Sequence, residues 1–232
     1  MALFSENLKP IPEAERELKP ASWYDENYYR GNGGKSNWQY EYSWNYYGAI
    51  ATGWAKFIYE GFPEAQSFLD AGCGKGFLVK ALLKLAEANK FKRTVEGFDH
   101  SEYAIASADE EIRPLLTCAG VDDFTFTRRY DLLICCDMLE HVTEDMARRF
   151  LTRSRAAVND CFFGIIALDT PKQRREPSHV TLQSRDWWTE LFVSCGWVFD
   201  REMQTMLRLA QKEFLDPSDA EIFIFKSGHD DV

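Results

Sequence analysis

Residues 68–77, FLDAGCGKGF, place glycines at 72, 74 and 76, alternate positions directly after a short apolar run. A phosphate-gripping loop needs Gly-x-x-x-x-Gly-Lys-Ser/Thr, and here Lys75 is followed by Gly76, so that chemistry is excluded. The dinucleotide fingerprint fits Gly72 and Gly74 but then requires glycine at position 77, which is Phe77. What remains is Asp-x-Gly-x-Gly-x-Gly starting at Asp70, a variant whose meaning depends on its surroundings.

Those surroundings alternate between strand and helix. SFLDAG reads as a buried strand and FLVKALLKLAEA as an amphipathic helix. TVEGFD is a second strand, followed by Ser101 as the cap of EYAIASADEEI. PLLTCAG is a candidate third strand, YDLLICCD a fourth, and TEDMARRFLTRSRAAV a helix opening on Thr143 with acids in its first turn. CFFGIIALD is a fully apolar fifth strand, Ser184 caps RDWWTELFVSC, and Gly196 ends that helix. WVFDREM and EIFIFKS read as closing strands joined by a loop, hence an antiparallel edge. The rest follows right-handed βαβ spacing, so an α/β fold with a mostly parallel sheet covered on both faces is expected. In such a sheet ligands bind beyond the strand carboxyl ends, where the glycine loop lies. Asp99 ends the second strand, where a carboxylate can accept both hydroxyls of a ribose. The glycines alone are equally consistent with a plain strand-to-helix turn; together with Asp99 they point to a bound nucleoside.

The 232 residues suit one α/β domain with additions. A hydrophobic fraction of 45% and a charged fraction of 28% are ordinary for a globular chain. The net charge of −10 gives no pull toward nucleic acid, and the arginines at 148, 149, 153 and 155 read as a solvated helix face. Six cysteines without a Cys-x-x-Cys pair lead us to expect a reducing, cytoplasmic setting with neither disulfides nor structural zinc. The charged N-terminal MALFSENLKPIPEAERELKP reads as a loosely held arm rather than a signal peptide, and CFFGIIAL is too short to span a bilayer.

Taken together, FLDAGCGKGF, VEGFDHS and YDLLICCDMLEHV resemble the signature of class I S-adenosylmethionine-dependent methyltransferases, over roughly residues 64–203. They are closest to the small-molecule branch with the ubiquinone-pathway, sugar and natural-product enzymes. The resemblance implies a Rossmann-like, doubly wound sheet of seven strands, mostly parallel with an antiparallel edge, and S-adenosyl-L-methionine as cofactor. It implies that Asp70, Gly72, Cys73 and Gly74 flank the methionine moiety, that Asp99 takes the ribose hydroxyls, and that Phe98 or His100 lines the adenine pocket. Asp122 or Asp123 would meet the adenine amine, and Cys136 would offer a backbone carbonyl to the cofactor's amino group. The cofactor has no pyrophosphate, which agrees with the missing glycine at position 77.

A hydroxyl acceptor needs a base for its proton. Of the four histidines, His229 lies in a polar tail and His100 beside Asp99. His141 either faces the substrate or packs. His179 lies in DTPKQRREPSHVTLQSRDWW, a loop in which similar methyltransferases often carry a histidine. His179 and His141 are therefore the candidate catalytic residues. No metal is assigned, although some sugar methyltransferases hold magnesium near the places of Asp137 and Asp169. Residues 1–63 are expected to form an arm and an aromatic-rich N-terminal cap, and residues 64–232 the methyltransferase domain. In the cap Tyr24, Tyr28, Tyr29, Trp38, Tyr40, Tyr46 and Tyr47 either close over the ligands or pack on the sheet edge, with Gly31, Gly33 and Gly34 as hinges. The expected activity is O-methylation of a sugar or other small polar metabolite, with no nucleic-acid or membrane partner. N- or C-methylation of another small molecule, or a non-catalytic cofactor-binding subunit, are the alternatives. Methylation of nucleic-acid base amines is disfavoured, because Asp137-Met138-Leu139-Glu140 stands where Asn/Asp-Pro-Pro-aromatic would be.

Overall fold

The structure is a computed structural model that describes residues 9–31, 34–36, 40–211 and 220–228, the side chains of 207–211 excepted. His229, Trp38 and Gly33 lie outside the described residues. The chain divides into two compact units, one of residues 19–124 and one of residues 9–18 with 125–228 over the described range.

In the first unit, Asp25 caps the short helix α1 (Glu26–Tyr29) by accepting from the Asn27 and Tyr28 N–H groups. Helix α2 (Trp44–Gly61) packs on α3 (Phe77–Ala88), where the Tyr59 hydroxyl donates to the Leu82 carbonyl at 2.8 Å. Strand β1 (Ser67–Ala71) pairs in parallel with β2 (Thr94–Asp99), and β2 with β3 (Leu116–Cys118). Helix α4 is only Glu102–Ala106, shorter than the run expected behind Ser101, whose hydroxyl does accept from the Ala104 N–H.

In the second unit, β4 (Tyr130–Cys136) runs parallel to β5 (Val158–Ala167), with α5 (Glu144–Ala157) between them capped by Thr143 as expected. Helix α6 (Arg185–Ser194) starts at Ser184 and ends before Gly196, which has φ +88°. Strand β7 (Ala220–Lys226) is antiparallel to both β5 and β6 (Val198–Phe199). The seven-stranded sheet reads β3-β2-β1 in the first unit and β4-β5-β7-β6 in the second, mostly parallel with the antiparallel edge the sequence leads one to expect.

Two local expectations fail. WVFDREM is a strand only at Val198–Phe199; from Arg201 the chain forms α7 (Arg201–Gln211), so a helix follows β6 where a loop was expected. Asp200 is the reason, because its carboxylate accepts from the Met203 N–H and starts a helix. Residues 9–18 are also held: the Ile11 N–H donates to the Arg174 carbonyl at 2.7 Å, and Arg16 reaches Asp169. All six cysteines are free thiols. Among the described residues no helix is long and apolar enough to cross a membrane.

Candidate active site

At the end of β1 the chain turns through three left-handed glycines, Gly72, Gly74 and Gly76, with φ of +77°, +54° and +73°. This conformation costs a residue with a Cβ of order 1–3 kcal/mol. The loop is pinned to the neighbouring strand: the Gly72 and Cys73 N–H groups donate to the Phe98 carbonyl at 2.9 and 3.0 Å. Asp99 completes the pinning, since its Oδ2 accepts from the Gly74 N–H at 2.9 Å and its Oδ1 from the Ser101 N–H at 2.8 Å. Each carboxylate oxygen keeps a second lone pair, so Asp99 can still receive two hydroxyls. Burial raises the Asp99 carboxyl above the usual range, against the pull of these two amides. Asp70, at the end of β1, is pushed up to about 7, first by burial and then by the charge of Asp99. Burial likewise pushes the Cys73 thiol well up, and it holds the His100 imidazole below its ordinary value.

Aromatic residues pack on this loop. The Tyr42 ring stacks on Phe77 at 4.7 Å and stands 3.4 Å from where a Cβ on Gly74 would be. Tyr24 lies 4.5 Å from the His100 ring, and the buried Ser101 hydroxyl donates to the Tyr24 carbonyl. Tyr24, Tyr28 and Tyr29 are themselves buried in one cluster with Ala104. Gly31 and Gly34 allow close backbone approach: a Cβ on either would meet a carbonyl oxygen at 2.1 Å. Phe98 stacks on Phe124 at 4.1 Å and is 1% exposed, and its carbonyl holds the loop. Asp122 and Asp123 are exposed in the turn after β3.

In the second unit β4 ends at the half-buried Cys136, followed by Asp137 with φ +51°, a strained conformation for a residue other than glycine. Glu140 follows and is 0% exposed. Its Oε1 accepts from the Ala167 N–H at 3.0 Å, its backbone carbonyl accepts from Val180 and Thr181, and its Oε2 has no hydrogen-bond partner. Burial, and secondarily Asp137, raise its carboxyl. His141 is half-buried, and its ring meets His179 edge-on at 4.7 Å. His179 is 5% exposed; its Nδ1 lies 3.1 Å from the Gln173 carbonyl, which can only accept, so the proton sits there and Nε2 keeps its lone pair. Burial holds its pKa well below the ordinary value, and His141 lowers it further. Ligand atoms of Glu140, His141 and His179 all lie within 4.8 Å of one another, a two-nitrogen, one-oxygen set that a divalent transition metal could use. Asp169 is not part of this group: Arg174 holds both its oxygens, at 2.6 and 2.5 Å.

Residues 68–160 match the methyltransferase domain family. This stretch is similar to class I, S-adenosylmethionine-dependent methyltransferase domains. A mitochondrial ubiquinone biosynthesis O-methyltransferase from Saccharomyces cerevisiae is 30% identical over 139 residues, 56% of this chain and 38% of that protein. The chain thus spans well under half the length of this curated relative. The magnesium protoporphyrin IX methyltransferase of Synechocystis PCC 6803, crystallised with its bound S-adenosylmethionine, shares the fold at 16% identity. It matches with a TM-score of 0.52, over 78% of this chain and 79% of that one. An O-methyltransferase family protein from Burkholderia thailandensis does so at 12% identity and TM-score 0.57, over 78% and 57%.

The first unit brings together Asp70, Gly72, Cys73, Gly74, Asp99 and His100, and the second brings together His141 and His179. Sequence reasoning missed Glu140 as a member of the histidine cluster. Its signal was available: an acid beside His141 in a run that ends a buried strand. It also missed the direct bond from Asp99 to Gly74, which no spacing rule encodes.

Proposed function

We propose that this protein is an O-methyltransferase that moves the methyl group of S-adenosylmethionine to a hydroxyl of a sugar or other small polar metabolite. The observation that carries it is the Asp99 carboxylate bonded to the Gly74 N–H, beneath three left-handed glycines that directly follow a parallel strand. When bound, the cofactor supplies an electrophilic methyl on a sulfonium, which leaves as the thioether when the acceptor oxygen forms its new bond to carbon. On this reading Asp99 holds the ribose, and the loop around Asp70, Gly72, Cys73 and Gly74 holds the zwitterionic end. His100 borders the adenine, with Asp122 at its amine, and the Cys136 carbonyl receives the ammonium. Residues 1–63 serve as arm and cap to a domain of residues 64–232.

The proton released from the acceptor goes to the histidine pair. His141 is the member open enough to touch an acceptor, and His179 orients it from the buried side. A second reading rests on the partnerless Oε2 of Glu140: the same three side chains would hold a divalent cation that lowers the acceptor hydroxyl's pKa. Formation of S-adenosylhomocysteine, followed across hydroxyl, amine and carbon acceptors, tests the activity. Turnover on hydroxyl compounds alone supports it, and turnover confined to amines or carbon acceptors refutes O-methylation. No turnover with any acceptor, alongside tight cofactor binding, favours a non-catalytic subunit. His141→Ala should lower turnover about 10²- to 10⁴-fold if it is the base. Loss of turnover on chelation, restored by added metal, would favour the cation.

A further inference from the structure

We infer that Lys75 is a positioning residue, a cation seated against two stacked tyrosine rings, that fastens the aromatic segment to the glycine loop. Lys75 lies between two of the left-handed glycines, yet its side chain turns inward and is only 9% exposed. Its ammonium sits 5.5 Å from the centre of the Tyr29 ring and 5.2 Å from that of Tyr103, and these two rings stack on one another at 5.8 Å. No ion-pair partner lies within 4 Å of it among the described residues. The aromatic faces therefore replace the water it gives up, a contact that strengthens with desolvation. Burial lowers its pKa, while the charges of Glu41 and Glu26 support the ammonium from a distance.

The two tyrosines belong to different parts of the first unit. Tyr29 ends α1 in the cap, and Tyr103 lies in α4, which Ser101 starts directly behind Asp99. The Tyr29 carbonyl accepts from the Tyr42 N–H at 2.9 Å, and Tyr42 returns to the loop against Gly74 and Phe77. The contacts form a closed circuit from Lys75 through Tyr29 and Tyr42 back to Gly74. Removing the charge opens this circuit at one point and frees the cap and the loop together. The inference concerns the same loop as the proposed cofactor reading, and only its effect on ligand affinity depends on that reading.

The test compares wild type with Lys75→Met, which keeps the stem without the charge, and Lys75→Arg, which keeps a cation able to face an aromatic ring. Amide exchange in the ligand-free protein is read over residues 23–29 and 42–47, and S-adenosylhomocysteine affinity by calorimetry. Lys75→Met should speed exchange in both segments by about 5- to 30-fold and weaken binding by a similar factor, with Lys75→Arg close to wild type. Tyr103→Leu, which removes one face and leaves Lys75 in place, should move exchange in the same direction. Unchanged exchange in Lys75→Met, or equal losses in Met and Arg variants, would overturn the latch. Wild type that fails to bind S-adenosylhomocysteine, with the exchange effect intact, would refute the cofactor reading and leave the latch standing.

Discussion

Asp70 carries a protonation state that its position dictates. Its folded pKa of about 7 lies above the ordinary 3.8, so the folded protein binds more protons than the unfolded chain between those values. The sign follows: this group imposes no penalty below about pH 4, a growing one through pH 7, and a constant one above. Asp70→Asn should therefore stabilise the ligand-free protein at pH 8 and not at pH 4, by a few kcal/mol at most. Thermal melts of both proteins across this range check it, and a difference independent of pH would contradict it. His179 acts in the opposite range. Its folded pKa lies well below 6.5, so below about pH 6.5 the unfolded chain takes up a proton that the folded one refuses, and stability is lost as pH falls. His179→Gln should melt with a shallower acid-side decline than wild type. Both residues were visible in the sequence as candidates, Asp70 by its strand end and His179 by its loop. Their burial was not, because it depends on residues far away in sequence: Tyr42 over the glycine loop, and Glu140 beside His179.

Among the elements, those marked by local chemistry follow their sequence signals. Ser101, Thr143 and Ser184 each accept from the N–H three residues on, as the cap rules require. Ser101→Ala should cost about 1–2 kcal/mol by chemical denaturation, at the upper end of cap losses. Its hydroxyl also donates to the Tyr24 carbonyl, which would lose this donor. Gly76→Ala should cost more than a cap, because φ is +73° and a Cβ would lie 2.7 Å from Ile112 and 2.8 Å from Leu116. A Gly76→Ala protein as stable as wild type would show that the loop relaxes. The element that misled is α7. Trp197, Val198 and Phe199 carry β-type residues into a segment whose remainder is helical, and Asp200 carries the cap signal that should have divided it. The aromatic cap was legible as a composition and not as a structure. Its glycines suggested hinges, yet Gly31 and Gly34 serve close packing of backbone on backbone.

Across the molecule, both units contain buried apolar side chains, and the glycine loop belongs wholly to the first. Ligand that binds this loop only when it is folded must raise the stability of the protein that holds it. The parallel sheet was readable from the alternation of runs, and the glycine loop and Asp99 from their places at strand ends. The histidine cluster was readable only as two separate residues, since 38 positions separate His141 from His179 and Glu140 joins them through space. The most direct measurement is S-adenosylhomocysteine binding by calorimetry, with melts at about 100 times the dissociation constant, for wild type and Asp99→Ala. The account predicts about 2.7 kcal/mol of added stability in wild type, and most of it lost in Asp99→Ala. Equal binding by the two proteins would contradict the assignment of Asp99, and no binding by wild type would contradict the cofactor reading itself.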